Sequence, residues 1–409
     1  MGGCGFDAQE ISAEELLQYY TDEEAEAHAK EVGVAPRPNE TISEIDETGA
    51  FIRQPNAFIQ PFGDKEGDLK AEAGRYAIYW ATGCNWSNRP VIVRDLLGLQ
   101  DVIKDHRVTH SGQTNKYGHG FGDQPDHKDP LTGAYFLSEF YKRANPDFTG
   151  RATTPTLVDI IDKKAVNNDY HRLTNYLEVQ FRPFQPADAP DLYPKQFRKE
   201  IDEFNDWLFP HINNGHYRMA FCQSPEAYEE AYEDFYESLD KLEKRLETNR
   251  FLFGDYITDS DVRAYVTLVR WDVSYYHNVG PVKKPIKDYK NIWGYLRELN
   301  TIPAFHNNSN ARTLALDRLS KEKKLFSGYN ERILTKLDFD KLWADDGERR
   351  KLSKTPDEMF LRHKQGETYE EYVSEISTTI WNSPSWDDRN PKNGTLSVDA
   401  SINPLKGLL

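Results

Sequence analysis

The sequence has very little cysteine. Cys4, Cys84 and Cys222 are the three cysteines among 409 residues, an odd and widely spaced set. Such a set provides neither a disulfide framework nor the close pairs of a zinc site. The chain is therefore not expected to be a small secreted protein stabilised by disulfides, and each cysteine is expected to be a free thiol.

An excess of positive charge and long apolar runs are also lacking. The formal net charge of -16 argues against nucleic acid or an anionic membrane as a main partner, because both attract basic patches. No apolar run approaches the roughly 20 residues of a membrane span. The first residues lack the basic and apolar regions of a signal peptide. Together these absences predict an acidic, soluble, cytoplasmic protein.

Material for packing is plentiful. Aromatic residues make up 13% of the chain, with 23 Tyr, 21 Phe and 8 Trp. That content is too high for a disordered chain. The length allows two domains, each with its own hydrophobic core.

The first half alternates between strand and helix patterns. "RYAIYWA" predicts a buried strand, "VIVRDLLGL" a helix that ends at Gly98, and "DVIKDHRV" a short strand. A polar stretch over 109–133 predicts a loop. "YFLSEFYKRA" predicts an amphipathic helix, "TTPTLVDII" with "DKKAV" a hairpin, and "DYHRLTNYL" another helix. This order is that of an α/β thioredoxin-like domain.

The second half is predicted to be helical. The linker "RPFQPADAPDLYP" contains four prolines and precedes it. Ser224 and Pro225 suit the N-cap and first position of a long helix. Thr258 and Asp261 suit a capping box that begins the next helix. We expect an N-terminal arm (1–50), a thioredoxin-like domain (51–185), an all-α domain (190–320) and a C-terminal extension (321–409).

Cys84 stands between the predicted strand end and helix start. The positive end of a helix favours a thiolate there, although a buried apolar role is the commoner fate of a free cysteine. Ser87 occupies the place of a nearby resolving thiol, so Cys84 would form a mixed disulfide with an external thiol. Thr154-Pro155 favours the interpretation of Cys84 as a nucleophile, since a cis proline there can offer backbone groups to a bound cysteinyl group. Pro90 is expected to bend or delay the helix.

Several long segments carry a resemblance, in order along about residues 50–310. "RYAIYWATGCNWSNRPVIVRDLLGLQDVI", "YKRANPDFTGRATTPTLVD" and "RFLFGDYITDSDVRAY" resemble glutathionyl-hydroquinone reductases, the Xi class of glutathione transferases. The resemblance implies a thioredoxin-like domain followed by an all-α glutathione-transferase domain, in a homodimer. It implies glutathione as co-substrate, with no metal and no nucleotide. The expected substrate is a small aromatic thioether or a disulfide.

The resemblance also implies roles for individual residues. Cys84 would be the catalytic nucleophile, and Tyr217 would line the pocket for the aromatic substrate. Tyr193 and Tyr295 are weaker substrate-binding candidates, and core packing is the preferred interpretation of both. The residues implied to bind glutathione are Trp86, Thr154, Pro155, Asp169 and Tyr170.

The active-site segment departs from the family pattern. Asn85 and Ser87 stand where Cys-Pro-Trp-Ala has Pro and Ala, and Asp169-Tyr170 replaces a Glu-Ser pair. A tryptophan expected near 117–123 to stack on glutathione is absent. These changes leave two other functions open: a thiol transferase acting on mixed disulfides, and a catalytically silent ligand-binding or interaction protein on the same fold.

The polar loop contains many potential metal ligands. Their spacing matches no compact site, so a surface loop is the preferred interpretation and no metal is expected. Cys222 is expected to be buried, and Cys4 lies in the N-terminal arm. The residues weighed as ligands are His106, His110, His119, His127, Asp123, Asp126 and Asp129.

Overall fold

The structure is a computed structural model. It describes residues 21–36, 44–53, 55–108, 116–121, 124–280, 283–315, 338–373 and 399–405. Cys4, His110 and Asp123 lie outside the described residues. The described helices include none that is both long and apolar enough to cross a membrane.

The first half of the chain is built around a four-stranded sheet. Its strands are β1 (Tyr76–Trp80), β2 (Lys104–Arg107), β3 (Thr156–Asp159) and β4 (Lys164–Asn167), in the order β2-β1-β3-β4. The β1–β2 pair is parallel, whereas β3 is antiparallel to both β1 and β4. The predicted strands and the hairpin are confirmed, as is the thioredoxin-like arrangement.

Helices cover both faces of this sheet. They are α2 (Asn85–Leu96), α3 (Leu137–Ala144) and α4 (Leu173–Val179), whereas α1 (Asp22–Val32) packs in a separate hydrophobic cluster that contains no strand residue. Successive strand side chains point to opposite faces. Ile78 and Trp80 therefore join the large core shared with α2 and α4, while Ala77 and Tyr79 pack with residues of α3. Gly98, just after α2, has a φ of 66°, which suits the predicted glycine stop.

The second half is helical. It contains α5 (Arg198–Leu208), α6 (Gly215–Phe221), α7 (Pro225–Thr248), α8 (Asp259–Leu268), α9 (Lys290–Asn300) and α10 (Pro303–Asn308). Ser224 accepts a hydrogen bond from the Ala227 N–H at the start of α7, and Thr258 and Asp261 form the capping box of α8. Both predicted helix starts are confirmed.

The expectation of a delayed α2 is wrong. The helix begins at Asn85, directly after Cys84, and Pro90 lies inside it. Pro90 removes the N–H that would bond to the Trp86 carbonyl. Every residue from Asn85 to Arg94 is nevertheless buried, so tertiary packing supports the helix despite the missing bond.

The described residues of the C-terminal part, 338–373 and 399–405, pack on the helical half. They include α11 (Phe339–Leu342) and α12 (Tyr369–Val373). Arg349 donates hydrogen bonds to the carbonyls of Leu246 and Arg250. Arg245 donates to the Ile402 carbonyl at 2.6 Å. These contacts hold the extension on the end of α7, and the four-part division of the chain stays a prediction.

Candidate active site

Cys84 occupies the N-cap position of α2, where β1 gives way to the helix. It is half-buried. Its thiol donates a hydrogen bond to the Thr154 carbonyl at 3.4 Å. The Thr154-Pro155 peptide bond is cis, as the sequence predicts. Two segments 70 residues apart therefore meet at the candidate nucleophile.

Ser87 holds the turn that presents Cys84. Its hydroxyl accepts from the Ala81 N–H at 3.1 Å and lies 2.9 Å from the Ala81 carbonyl and 3.0 Å from the Cys84 carbonyl. The N–H groups of Ser87 and Asn88 both donate to the Cys84 carbonyl at 3.2 Å. The serine that replaces a resolving thiol thus ties the end of β1 to the first turn of α2.

An aromatic cluster lies beside this turn, comprising Trp86, Tyr170, Phe209 and Tyr217. The Trp86 ring centroid is 5.1 Å from that of Tyr170, 5.3 Å from Phe209 and 5.7 Å from Tyr217. Trp86 belongs to α2 and Tyr217 to α6, Tyr170 lies in the segment after β4, and Phe209 directly follows α5. Three of the predicted site residues, Trp86, Tyr170 and Tyr217, therefore do come together near Cys84.

Arg89, in α2, contacts the aromatic cluster through Trp86. Its guanidinium is 4.7 Å from the Trp86 ring centroid, and its Nη2 donates to Asn213 Oδ1 at 2.7 Å. Nε and Nη1 have no hydrogen-bond partner among the described residues. Burial and the nearby charge of Arg263 lower the pKa of Arg89 to about 9, and the charge of Asp259 opposes that shift. A buried guanidinium therefore lies within α2, five residues after Cys84.

Arg53 lies in the segment that precedes β1, and it also contacts the aromatic cluster. Its guanidinium is 4.6 Å from the Trp86 ring and 4.4 Å from the Tyr217 ring. Nε donates to Asn214 Oδ1 at 2.8 Å. The preceding segment is anchored at the start of α7, where the Gln223 N–H donates to the Gly49 carbonyl at 2.7 Å. Arg53 thereby adds a second positive charge to the aromatic cluster.

Asp169 is held mainly by its own loop. Its Oδ1 accepts from the His171 N–H at 3.2 Å and from Asn56 Nδ2 at 3.4 Å. The carboxylate is 3.9 Å from Arg172 Nε, and 6% of the residue is exposed. Asp169 follows β4 and adjoins Tyr170 of the aromatic cluster, so it lies at the same end of the sheet as Thr154. A role of Asp169 in binding glutathione stays a prediction.

Tyr193 and Tyr295, the weaker candidates for the substrate pocket, pack in the core, which is the interpretation preferred for both from the sequence. Both are fully buried. The Tyr193 hydroxyl donates to Asp202 at 2.7 Å, and the Tyr295 hydroxyl donates to Asp261 Oδ1 at 2.9 Å. With no exposed surface and with their hydroxyl protons committed to carboxylates, they stabilise the helical half.

The pair formed by Tyr193 and Asp202 leads to a prediction about pH. Burial raises the pKa of Asp202 to about 7 from an ordinary value near 4. Between these values the folded state keeps a proton that the unfolded chain has released. The contribution to stability is complete below about pH 4 and is lost as pH rises through about 7. Urea unfolding between pH 5 and pH 8 should show a steeper loss of stability for the wild type than for Asp202→Asn, and equal slopes would contradict this.

Sequence reasoning missed three residues of the site. Arg89 follows Cys84 by five positions and directly precedes Pro90, and this proximity is visible in the sequence. Arg53 and Tyr275 lie in distant segments, and nothing in the sequence marks them. The Tyr275 hydroxyl is 3.2 Å from the Tyr217 hydroxyl, and its ring stacks on His216 with centroids 3.9 Å apart.

The described part of the polar loop holds structural contacts. Asp129 accepts a hydrogen bond from the Tyr79 hydroxyl at 2.6 Å and lies 3.8 Å from His106 Nε2. Within the described ranges, no three His, Cys, Asp or Glu side chains are grouped to hold a metal ion.

Comparison with known proteins places the chain among glutathione transferases. A family model for the C-terminal domain of glutathione S-transferases matches residues 225–298. The glutathionyl-hydroquinone reductase PcpF of Sphingobium chlorophenolicum is 34% identical over 244 residues, which cover 60% of this chain and 76% of PcpF. The glutathionyl-hydroquinone reductase YqjG of Escherichia coli is 34% identical over 262 residues, covering 62% of this chain and 80% of YqjG.

Solved structures agree with these relatives. The Xi glutathione-S-transferase of Phanerochaete chrysosporium superposes with a TM-score of 0.63 at 32% identity, covering 69% of this chain and 91% of that one. The glutathione-bound structure of YqjG superposes with a TM-score of 0.59 at 31% identity, with the same two coverages. This chain therefore belongs to the glutathionyl-hydroquinone reductases of the Xi class, which are cysteine-type enzymes of the glutathione transferase superfamily.

Proposed function

We propose that this protein is a glutathione-dependent reductase that uses Cys84 to remove glutathione from thioethers of the glutathionyl-hydroquinone type. The observation that carries the proposal is the position of Cys84. Its sulfur lies at the start of α2 beside the Thr154 carbonyl, and the aromatic cluster begins two residues later at Trp86. A thiolate, a backbone acceptor and an aromatic surface are thus available to one substrate.

The reaction proceeds in two balanced steps. The Cys84 thiolate attacks the glutathionyl sulfur, and an S–S bond forms as the sulfur–aryl bond breaks. The aryl carbon takes the electron pair of that bond together with a proton, which yields the free hydroquinone. A second glutathione thiolate then attacks the mixed disulfide and leaves as glutathione disulfide, regenerating the Cys84 thiolate. Overall, the aryl carbon is reduced and two glutathionyl sulfurs are oxidised.

The protein groups near Cys84 suit these steps. Arg89 is a buried cation of the site, with its guanidinium 4.7 Å from the Trp86 ring centroid. In the mixed disulfide the Cys84 sulfur no longer donates a hydrogen bond, so the Thr154 carbonyl becomes free to accept the cysteinyl N–H of glutathione. Asp169 is the carboxylate available to the γ-glutamyl end, and Tyr217 contributes the wall for the aromatic ring.

Glutathione is the proposed co-substrate, and the solved glutathione complex of YqjG supports it. The alternative functions remain testable on the same site. A thiol transferase would cleave mixed disulfides but not aromatic thioethers, whereas a silent binding protein would cleave neither. The departures at Asn85 and Tyr170 are the features that keep both alternatives in consideration.

The proposed activity can be tested with purified protein, a glutathionyl-hydroquinone and glutathione. We expect equal amounts of hydroquinone and glutathione disulfide to form. With the thioether alone, intact-mass analysis should find one glutathionyl group on the protein, located on Cys84 by peptide mapping. Turnover of a mixed disulfide without turnover of the thioether would favour the thiol transferase. No adduct and no turnover would favour the binding protein.

The proposal extends to assembly and location. A homodimer follows from the family resemblance, and the cytoplasmic location stays a prediction. Light scattering after size-exclusion chromatography would test the dimer by giving a mass twice that of the 47.4-kDa chain.

A further inference from the structure

Asn85 adjoins the candidate nucleophile at a position where the family typically has proline. It is fully buried. Its Oδ1 accepts a hydrogen bond from the Tyr217 hydroxyl at 3.3 Å, and its Nδ2 donates to Thr267 Oγ1 at 3.2 Å. One amide thus links α2 to α6 and to α8. A proline side chain can form neither bond.

These contacts determine where the Tyr217 proton lies. An amide oxygen only accepts hydrogen bonds, and a phenol has one proton. Tyr217 gives that proton to Asn85, so the contact of 3.2 Å with Tyr275 requires Tyr275 to be the donor. Burial raises the pKa of Tyr217 and of Tyr275, so both phenols keep their protons.

The other end of the network is anchored by Arg89. Its guanidinium can only donate, so Asn213 turns Oδ1 toward it at 2.7 Å. The Asn213 Nδ2 group then donates to Thr267 Oγ1 at 2.8 Å. Thr267 consequently accepts from both amides, which is consistent with the orientation of the Asn85 side chain.

We propose that Asn85 is a specificity-determining residue that holds the Tyr217 proton, so that toward an aromatic ligand Tyr217 offers only the remaining lone pair of its oxygen and acts as an acceptor, not a donor. The pocket then prefers rings with a free hydroxyl over rings whose oxygens only accept, such as ethers. Asn85 acts through Tyr217 and is a positioning residue. The inference rests on the proposed function for the place of the aromatic ring, but its test measures binding and does not require turnover.

The test compares two ring ligands that lack the glutathionyl group. Hydroquinone offers two hydroxyl donors, whereas 1,4-dimethoxybenzene offers none. Dissociation constants would be measured under nitrogen by ligand-detected NMR for the wild type, Asn85→Leu, Asn85→Asp and Tyr217→Phe. The readout is the ratio of the two constants, because general damage to the pocket changes both constants together.

We expect Asn85→Leu to reduce the preference for hydroquinone about tenfold, as for loss of one hydrogen bond. Tyr217→Phe should reduce it to a similar level, and the double variant should show no further reduction. Asn85→Asp keeps an acceptor oxygen and should keep the preference. Should Asn85→Leu fail to fold, Tyr275→Phe gives a second test, since Tyr217 then still donates to Asn85 and the preference should persist.

Several results would overturn the inference. They are an unchanged ratio in Asn85→Leu, a reversed ratio in the wild type, a lost preference in Tyr275→Phe, or binding of neither ring by the wild type. The proposed function fails separately, through absence of the Cys84 adduct and of turnover. A protein that turns over glutathionyl-hydroquinone with an unchanged ratio in Asn85→Leu would keep the function and refute the role of Asn85.

Discussion

Replacing Cys84 by serine is expected to lower kcat for glutathionyl-hydroquinone at least about a thousandfold, the scale of loss on removing a nucleophile. A serine hydroxyl cannot form the mixed disulfide, so the first step has no substitute. The variant should fold normally, because Cys84 is half-buried and serine keeps a hydrogen-bond donor toward the Thr154 carbonyl. Steady-state assays and circular dichroism would check the two statements.

Cys222 provides the matched control. It is also partly buried, and its thiol donates to the Met219 carbonyl at 3.2 Å. Burial raises the pKa of Cys222, which keeps the thiol protonated and unreactive. Cys222→Ser should therefore retain kcat within about twofold and still form one glutathionyl adduct. Substantial turnover by Cys84→Ser, or loss of the adduct in Cys222→Ser, would refute the assignment of the nucleophile.

Replacing Asp259 by alanine is expected to lower the free energy of unfolding by about 3–5 kcal/mol, because one partner of a buried ion pair is removed. Arg263 Nε donates to Asp259 Oδ2 at 2.6 Å, and the two side chains are 3% and 0% exposed. Arg263 Nη2 also donates to the His171 carbonyl at 2.7 Å and to Thr174 Oγ1 at 2.9 Å. Removal of the Asp259 carboxylate therefore leaves the Arg263 charge uncompensated where α8 contacts α4 and the segment before it. Urea unfolding measures the resulting decrease in the free energy of unfolding.

Lys199 and Glu203 form the control pair, with the same spacing along a helix. Their charged atoms are 3.9 Å apart, but the side chains are 75% and 41% exposed. Water screens this pair, so Glu203→Ala should cost less than about 1 kcal/mol. Equal losses for Asp259→Ala and Glu203→Ala would show that burial does not determine the strength of the Asp259–Arg263 pair.

Local patterns in the sequence predicted much of the architecture. The β1 strand, the hairpin of β3 and β4, and the caps at Ser224 and Thr258 were all found from neighbouring residues. Each depends on hydrogen bonds or side-chain alternation within a few positions, which a sequence displays directly. The pairing of Cys84 with Thr154-Pro155 was also predicted, because the order of strands in a thioredoxin-like domain brings these segments together.

Contacts between distant segments lay beyond such patterns. Pro90 suggested a late start for α2, yet the packing of that helix on all sides maintains it from Asn85 onward. Core packing was the preferred interpretation of Tyr193 and Tyr295, but their carboxylate partners, Asp202 and Asp261, became known only from the structure. Arg53 has no local feature that distinguishes it from any other arginine before a loop.

The sequence by itself determined the fold class, the helix and strand order and the identity of the candidate nucleophile, since these follow from periodicity, capping and motif order. Only the tertiary structure decided what surrounds Cys84. The aromatic cluster, the two arginines and the bond from Tyr217 to Asn85 arise where the helical half docks on the sheet. Side-chain partners across that junction depend on its three-dimensional geometry, which the residue spacing along the chain does not encode.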